Sequence, residues 1–483
     1  MVLAAWGYAG DVTPSGPVPW REKIRRLVFL AAVNRGWTIS SALNTWDSAM
    51  WRTASLFNEF IFDGRSTIFQ TRRGTPFLVA TRLQWMRLMR KVPQAQIPVV
   101  QLLGTIDDIV SPEDAVDFAA DVESGEPNDR KLFFMLELPQ TGHTDAVDVA
   151  DPLNPAARAR AEIIRRALNA DEAALACDPA AVNRDYLDDT PRPPPDPNIK
   201  NVVFVIHGIR DKGFWTNKIA RKIREFRADG SVLCITRTYG YFPMAPFVFR
   251  MFRREKVEWL MDLYAEARAQ FPDAKFSYVG HSNGTYLAAA ALRDYPDTAF
   301  ESIVFAGSVV RRDYDWRALA RPLEKDKPPR VRRMWNFVAT ADWVVAIFPK
   351  GLEPIRLFDL GGAGHDGFAS KPDDIPFYEV RFVRGMHSAG IRESQWDEIT
   401  DFVLDGEPPQ GTNPDYANTQ CQLVYTLGRI SSELLVVAVT IFVFIFSHLA
   451  SSALQAPTAS ASIVFTLSAM SFAFILGLIA LKF

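Results

Sequence analysis

The chain has 483 residues, 48% of them hydrophobic, and its 54 lysines and arginines nearly balance its 56 aspartates and glutamates, for a formal net charge of −2. This length exceeds that of one ordinary domain, so two or more folded units are expected, and the balanced charge argues against a nucleic-acid-binding protein. The three cysteines lie far apart in the sequence and predict neither a disulfide framework nor a zinc site, which fits a reducing compartment.

Three short apolar runs near the N-terminus predict strands close to residues 26–32, 97–103 and 131–137. The second run, PVVQLLGTIDDIV, leads to Asp107, and the third, KLFFMLELPQTGH, ends at His143. A closing helix is predicted in AARARAEIIRRALN. An acid and a histidine after two strands are two members of a catalytic triad, but residues 1–177 contain no Gly-x-Ser-x-Gly motif that would supply the third.

Proline dominates the stretch YLDDTPRPPPDPNIK, where five prolines between positions 191 and 197 remove backbone donors and keep the chain extended. We interpret this stretch as a linker, with a boundary near Asp196. The chain is therefore predicted to divide into the following segments: 1–177, the linker 178–199, 200–408, a second linker 409–433, and a C-terminal segment 434–483.

The segment after the proline-rich linker alternates predicted strands and helices. NVVFVIHGIRD and GSVLCITRTYGY are short β-branched runs, and VEWLMDLYAEARAQF has helical spacing. KFSYVGHSNGTYLAAAALRDY then carries a strand into Gly-His-Ser-Asn-Gly and directly into an alanine-rich helix. This is a Gly-x-Ser-x-Gly motif in the strand–turn–helix context of a nucleophile elbow, so Ser282 is the candidate nucleophile; a chance turn is the alternative.

A nucleophilic serine needs a base, and the base needs a group that orients it. RRMWNFVATADWVV predicts a strand that leads to Asp342, and FYEVRFVRGMHSAG predicts a strand that leads to His387. His365, in GGAGHDGF, competes for the role of base, but no strand leads to it, so we favour His387. Either histidine could instead lie at the surface or pack in a core.

Together these motifs, over residues 200–408, resemble the α/β-hydrolase superfamily, whose nucleophile, acid and histidine follow in this order. The resemblance implies an α/β fold with a mostly parallel sheet flanked by helices, in a compact version that begins at the strand usually counted third. It also implies that His207-Gly208-Ile209 forms the oxyanion loop, with the backbone amides of Ile209 and Asn283 as donors, and that no metal or organic cofactor takes part.

Residues 1–177 resemble the C-terminal half of a second such domain, with Asp107 and His143 in the positions of acid and base but without a nucleophile. Three explanations stay open for this half-domain. It is degenerate and packs on the intact domain, it is completed by another polypeptide, or the true start site lies further upstream. An unrelated α/β segment with a coincidental pattern is the fourth possibility.

The C-terminal segment contains two apolar runs, 434–454 and 462–481, each close to the ~20 residues that span a bilayer. We predict a transmembrane hairpin, with a pair of buried core helices as the alternative. Arg429 precedes the first run and Lys482 follows the second, so the soluble units should face the cytoplasm. The N-terminus shows no pattern of a secretory signal peptide.

The predicted function is that of a membrane-anchored serine hydrolase that cleaves carboxylic esters. The stretch YGYFPMAPFVFRMFRREK, with Arg250, Arg253, Arg254 and Lys256 as a cationic rim, suits a lid over an acyl-chain site or a surface that rests on anionic headgroups; an ordinary cap helix is the alternative. A domain tethered to a bilayer meets lipids at high local concentration, which favours lipid or phospholipid acyl esters. The expected partners are a lipid bilayer and an ester substrate. The rival hypothesis is a non-catalytic membrane-anchored protein that uses the fold as a binding surface.

Overall fold

The computed structural model describes residues 19–38, 50, 53–54, 66–91, 97–107, 110, 132–182, 196–209, 213–322, 328–438, 440–441 and 444. Contacts within the chain divide it into two compact units. The first unit comprises Met1–Lys200, Glu255–Ala274 and Asp294–Asp297, and the second comprises Asn201–Arg254, Lys275–Arg293 and Thr298–Phe483. The chain thus enters the second unit at Asn201 and returns twice to the first.

The first unit contains a three-stranded parallel sheet in the order β1-β2-β3. Its strands are β1 (Leu27–Leu30), β2 (Val99–Gly104) and β3 (Phe133–Leu138). Its helices are Thr67–Gln70, Pro76–Lys91, Pro155–Asn169 and Glu172–Ala176. All six residues of β2 are buried, as expected for a central strand of a parallel sheet that is covered on both faces. The three strands lie where the apolar runs predicted them.

A cluster of buried ion pairs joins the N-terminal residues of the first unit to Glu255–Ala274. The Asp262 carboxylate accepts hydrogen bonds from Arg35 Nη2 and Arg82 Nη1, both at 2.7 Å, and the three side chains are at least nine-tenths buried. Burial opposes ionisation of this carboxyl, but Arg35 and then Arg82 outweigh it and hold the pKa of Asp262 below its ordinary value. Arg35 also pairs with Glu266.

The second unit contains a six-stranded sheet, parallel throughout, in the order β5-β4-β6-β7-β8-β9. Its strands are β4 (Asn201–Ile206), β5 (Val232–Ile235), β6 (Lys275–His281), β7 (Phe300–Ala306), β8 (Val331–Ala339) and β9 (Phe377–Val383). The strand order changes direction at β4 and β6. In open parallel sheets a ligand site forms at the carboxyl ends of the strands where such a change occurs.

Helices alternate with these strands, as the sequence pattern predicted. They are Phe214–Phe226, Met244–Val248, Arg250–Gln270, Asn283–Asp294, Trp316–Ala320, Trp343–Leu352, Ala363–Asp366, Trp396–Leu404 and Gln422–Arg429. The helix Arg250–Gln270 begins in the second unit and continues in the first. In the second unit, β-branched and aromatic residues of the sheet pack with Phe402 in one buried core. Parallel strands connected by helices are the architecture that the resemblance implied.

The predicted membrane hairpin falls largely outside the described residues. Of the two apolar runs, the structure describes only 434–438, 440–441 and 444. Across the portion of the chain that is described, none of the helices combines the length and the apolar character needed to cross a bilayer.

Candidate active site

Ser282 occupies a sharp turn between β6 and the helix Asn283–Asp294. Its φ is +53°, a conformation that a residue with a side chain adopts at a cost of roughly 1–3 kcal/mol. The turn is tight, because a Cβ at Gly284 would lie 2.4 Å from the carbonyl oxygen of Ile206. The last glycine of the motif is therefore required by the packing of the helix start against β4, and the strained turn has the geometry of a nucleophile elbow.

Asp342 and His387 lie at the carboxyl ends of β8 and β9 and are hydrogen-bonded to each other. Oδ2 of Asp342 is 2.9 Å from Nδ1 of His387, and Oδ1 accepts from the backbone N–H of Val345, which fixes the carboxylate at the start of its helix. Asp342 is fully buried. An ionised carboxylate can only accept, so Nδ1 of His387 carries the proton and Nε2 is left with the lone pair.

The end of β7 brings Ser282 and His387 into one neighbourhood. The backbone N–H of Ser282 donates to the carbonyl of Ala306 at 3.0 Å, and the His387 ring lies so close to Gly307 that a Cβ there would be 2.7 Å from its Cε1. In the described structure the Ser282 hydroxyl and His387 form no hydrogen bond. Such bonds are often long without substrate and shorten in the substrate complex.

The predicted oxyanion loop lies directly against the nucleophile. His207, Gly208 and Ile209 follow β4, and a Cβ at Gly208 would be 2.7 Å from the Cβ of Ser282. Asn283, the other predicted donor, is the first residue of the helix that follows the elbow and is fully buried. The structure therefore brings together all five residues of the predicted site, while their roles stay predictions.

Tyr239 holds the oxyanion loop and the elbow together, a role that the sequence did not suggest. Its hydroxyl donates to the carbonyl of His207 at 3.0 Å and accepts from Nδ2 of Asn283 at 3.2 Å. Its ring stacks on the His207 ring, with centroids 4.5 Å apart. In the sequence this tyrosine opens the aromatic stretch that we interpreted as a lid, and only its position shortly after β5 could have indicated the site.

His281, the variable residue before the nucleophile, contacts the catalytic candidate His387. The ring centroids are 4.8 Å apart, and Nε2 of His281 donates to the backbone carbonyl of His387 at 3.3 Å. The elbow therefore supports the backbone of the histidine as well as presenting the serine.

The prediction that Arg253 belongs to a cationic rim is wrong. This side chain is fully buried, donates to the backbone carbonyls of Phe247, Val248 and Phe358, and lies 4.5 Å from the centre of the Tyr286 ring. A guanidinium group can enter the interior when carbonyl oxygens and an aromatic face replace its water. Arg253 thus fixes the aromatic stretch in place and does not belong to a cationic surface.

His365, the competing base, lies in a closed environment. It is fully buried, Nε2 of Gln420 donates to its Nδ1 at 2.9 Å, and a Cβ at Gly428 would lie 2.4 Å from its Nε2. Burial, reinforced by the nearby Lys350, lowers the pKa of His365 to about 4. The ring is therefore neutral near pH 7 and is covered by the residues that lead to the C-terminal segment.

This depressed pKa predicts a stability change between about pH 6.5, the ordinary value for histidine, and pH 4. In that window the unfolded state binds a proton at His365 and the folded state does not, so the free energy of unfolding should fall as the pH falls, by roughly 3 kcal/mol at most. Urea denaturation from pH 7 to pH 4 measures this slope. His365→Gln should flatten it, and an unchanged slope in the variant would exclude His365 as its source.

Neither a protein-family model nor a curated protein sequence matches the chain. Among solved structures, the poly(3-hydroxybutyrate) depolymerase LpqC from Bordetella parapertussis is 12% identical, with a TM-score of 0.31 over 48% of this chain and 86% of the depolymerase. An α/β serine hydrolase without a lid from Xanthomonas campestris is 15% identical, with a TM-score of 0.23 over 44% of this chain and 84% of that hydrolase. Likenesses this weak carry no argument about activity.

Proposed function

We propose that the chain is a serine hydrolase of the α/β-hydrolase type that cleaves carboxylic esters with Ser282, His387 and Asp342. The observation that carries the proposal is the serine at φ +53° between a central strand and a helix, beside a histidine whose Nδ1 is held by a buried aspartate. A strained serine next to an oriented imidazole is the arrangement that nucleophilic catalysis requires.

In the proposed reaction, Ser282 Oγ attacks the ester carbonyl carbon while Nε2 of His387 takes its proton. The backbone amides of Ile209 and Asn283 stabilise the negative oxygen of the tetrahedral intermediate. The intermediate collapses, the alcohol leaves with the proton from His387, and an acyl-serine remains. Water, deprotonated by the same imidazole, then attacks the acyl-serine; the bond to Oγ breaks, Oγ takes the proton back from His387, and the carboxylic acid leaves, while Asp342 keeps the ring oriented throughout.

We propose lipid acyl esters as the substrate class. Two apolar side chains next to the catalytic candidates in the sequence are exposed. Trp343, which follows Asp342, is 52% exposed, and Met386, which precedes His387, is 62% exposed. Tyr241 and Phe249, in the aromatic stretch, are exposed as well. Exposed apolar side chains of this kind support contact with a long acyl chain or with the surface of a bilayer.

A C-terminal membrane anchor belongs to the same proposal, with the soluble units on the cytoplasmic side. What supports this anchor is the sequence, in which two apolar runs, 434–454 and 462–481, each have the length that spans a bilayer.

A substrate panel tests the proposed activity. We expect the full chain to hydrolyse tributyrin and a long-chain phosphatidylcholine in vesicles, because a triad attacks carbonyl carbons. Bis(p-nitrophenyl) phosphate, an activated ester without a carbonyl carbon, is the control and should not be turned over repeatedly, because a phosphorylated serine is stable. Repeated cleavage of the phosphate diester without cleavage of either carboxylic ester would contradict the proposal, and cleavage of tributyrin alone would restrict it to short-chain esters.

A further inference from the structure

The first unit contains a second acid–histidine pair at positions that match those of the proposed active site. In the parallel register of the first sheet, Leu102 of β2 pairs with β1, and Asp107 lies five positions further along the chain. In the second sheet, Phe337 of β8 pairs in the same way with β7, and Asp342 also lies five positions further.

The histidine of each sheet follows the next strand at the same offset. Leu102 of β2 pairs on its other side with Leu136 of β3, and His143 lies seven positions after Leu136. Phe337 of β8 pairs on its other side with Val380 of β9, and His387 also lies seven positions after Val380. The two sheets therefore deliver an acid and a histidine to equivalent places at their carboxyl ends.

Two hydrogen bonds of Asp107 also have counterparts at Asp342. Oδ1 of Asp107 accepts from the backbone N–H of Val110 at 2.8 Å, and Oδ2 lies 3.1 Å from Nδ1 of His143. Asp342 makes the corresponding two bonds, to the backbone three residues later and to its histidine. The match extends to the chemistry, because each carboxylate fixes which ring nitrogen of its histidine carries the proton.

The pair in the first unit differs from the proposed active site in what surrounds the ring. Asp107 has a side chain that is 1% exposed, whereas the side chain of His143 is 33% exposed. Among the residues of the first unit that the structure describes, none forms a strand–serine–helix elbow. Because Nδ1 is hydrogen-bonded to Asp107, Nε2 is the ring nitrogen of His143 whose lone pair can attack an electrophile.

We propose that His143 is a second reactive centre, which accepts acyl groups from activated donors such as aryl esters and thioesters. Nε2 attacks the carbonyl carbon and forms a C–N bond, and the C–O or C–S bond to the leaving group breaks, which releases a phenolate or thiolate. The product is an N-acylimidazolium, whose Nδ1 proton stays beside Asp107. Water attacks its carbonyl carbon and the C–N bond breaks, which gives the carboxylic acid, the neutral imidazole and a proton that the phenolate, the thiolate or the solvent accepts. Asp107 is the positioning residue, since it keeps the proton on Nδ1.

The proposal is tested with p-nitrophenyl acetate on the full chain, in a Ser282→Ala, His387→Ala background that silences the proposed active site. We expect residual hydrolysis, with a transiently acetylated chain in intact-protein mass spectra recorded at neutral pH, because acid speeds the hydrolysis of an acyl-imidazole. Adding His143→Ala should lower this rate at least about tenfold, because it removes the proposed nucleophile. An unchanged rate overturns the proposal.

Asp107→Asn distinguishes an oriented imidazole from an ordinary exposed one. Asparagine keeps an oxygen that can accept from Val110, but its amide donates to Nδ1 and moves the ring proton to Nε2. In the same background this variant should lower the rate as much as His143→Ala, and ¹⁵N NMR should show the changed tautomer of His143. Loss of rate in His143→Ala with a full rate in Asp107→Asn would mean that Asp107 plays no part.

Discussion

Replacement of Ser282 by alanine should lower kcat for an alkyl ester such as ethyl butyrate by at least about 10⁴-fold, because the members of a triad act as a unit and the hydroxyl is the attacking group. Alanine tolerates the same backbone conformation as serine, so the elbow should keep its shape and the protein its fold. An alkyl ester is chosen because alkoxide is a poor leaving group. Exposed imidazoles therefore do not cleave this ester directly, and the measured rate reports the active site. A pH-stat assay follows the acid that is released.

Ser277 provides a matched control on the same strand. It is buried, and its hydroxyl donates to the backbone carbonyl of Val403 at 3.2 Å. Ser277→Ala should cost about 1 kcal/mol of stability, the usual contribution of one hydrogen bond, and leave kcat unchanged. If Ser282→Ala keeps the turnover of the wild type, or if both alanine variants lose it equally, the nucleophile is not Ser282.

Replacement of Asp262 by alanine should lower the free energy of unfolding by about 3–5 kcal/mol, because it leaves Arg35 and Arg82 charged, buried and without this shared carboxylate. The pKa of Asp262 is lowered in the folded protein, so its contribution is complete at pH values above the ordinary aspartate pKa and is lost as the pH falls below it. Urea denaturation at pH 7, followed by circular dichroism, should show a lower midpoint.

Asp273 is the matched control for this effect, since it also pairs with an arginine within the first unit. Its carboxylate lies 2.8 Å from Arg90, but its side chain is 87% exposed, so Asp273→Ala should change stability by less than about 1 kcal/mol. Equal midpoints for the two variants would contradict the inference that burial makes the Asp262 cluster important.

The strands and the order of the candidate triad could be predicted because their signals are local. Apolar runs a few residues long gave the strands, and the elbow around Ser282 combines a strand, two glycines and a helix within one short stretch. Asp342 and His387 were found because parallel strands place their carboxyl ends at one edge, so that residues directly after them meet. The pairing of Asp107 with His143 follows from the same reasoning.

What the sequence did not predict depends on contacts between distant residues. Glu258, Asp262 and Glu266 lie four residues apart on one helix and form an acidic stripe that normally faces water, yet the structure buries them, and Arg72 and Arg35 lie about 190 and 230 positions away. Nothing local distinguishes such a buried stripe from an exposed one. Only the regular spacing of the carboxylates could have suggested a set of partners.

The interpretation of the aromatic stretch after β5 was wrong for Arg253 for a related reason. Its composition suggested one amphipathic lid, but the structure separates its residues by function: Tyr239 supports the oxyanion loop, Arg253 is buried among carbonyls, and Tyr241 is exposed. Composition averages over a stretch, whereas the role of each side chain depends on the direction in which it leaves the backbone.

Labelling of the full chain with a fluorophosphonate, followed by peptide mapping, identifies the nucleophile. Such reagents phosphonylate a serine only when its hydroxyl is activated by a neighbouring base, and the product is stable. We expect one adduct, on Ser282 in the peptide that contains GHSNG, and no adduct in Ser282→Ala. An active esterase that carries no adduct, or that carries it on a residue other than Ser282, would show that the reaction does not proceed through the proposed triad.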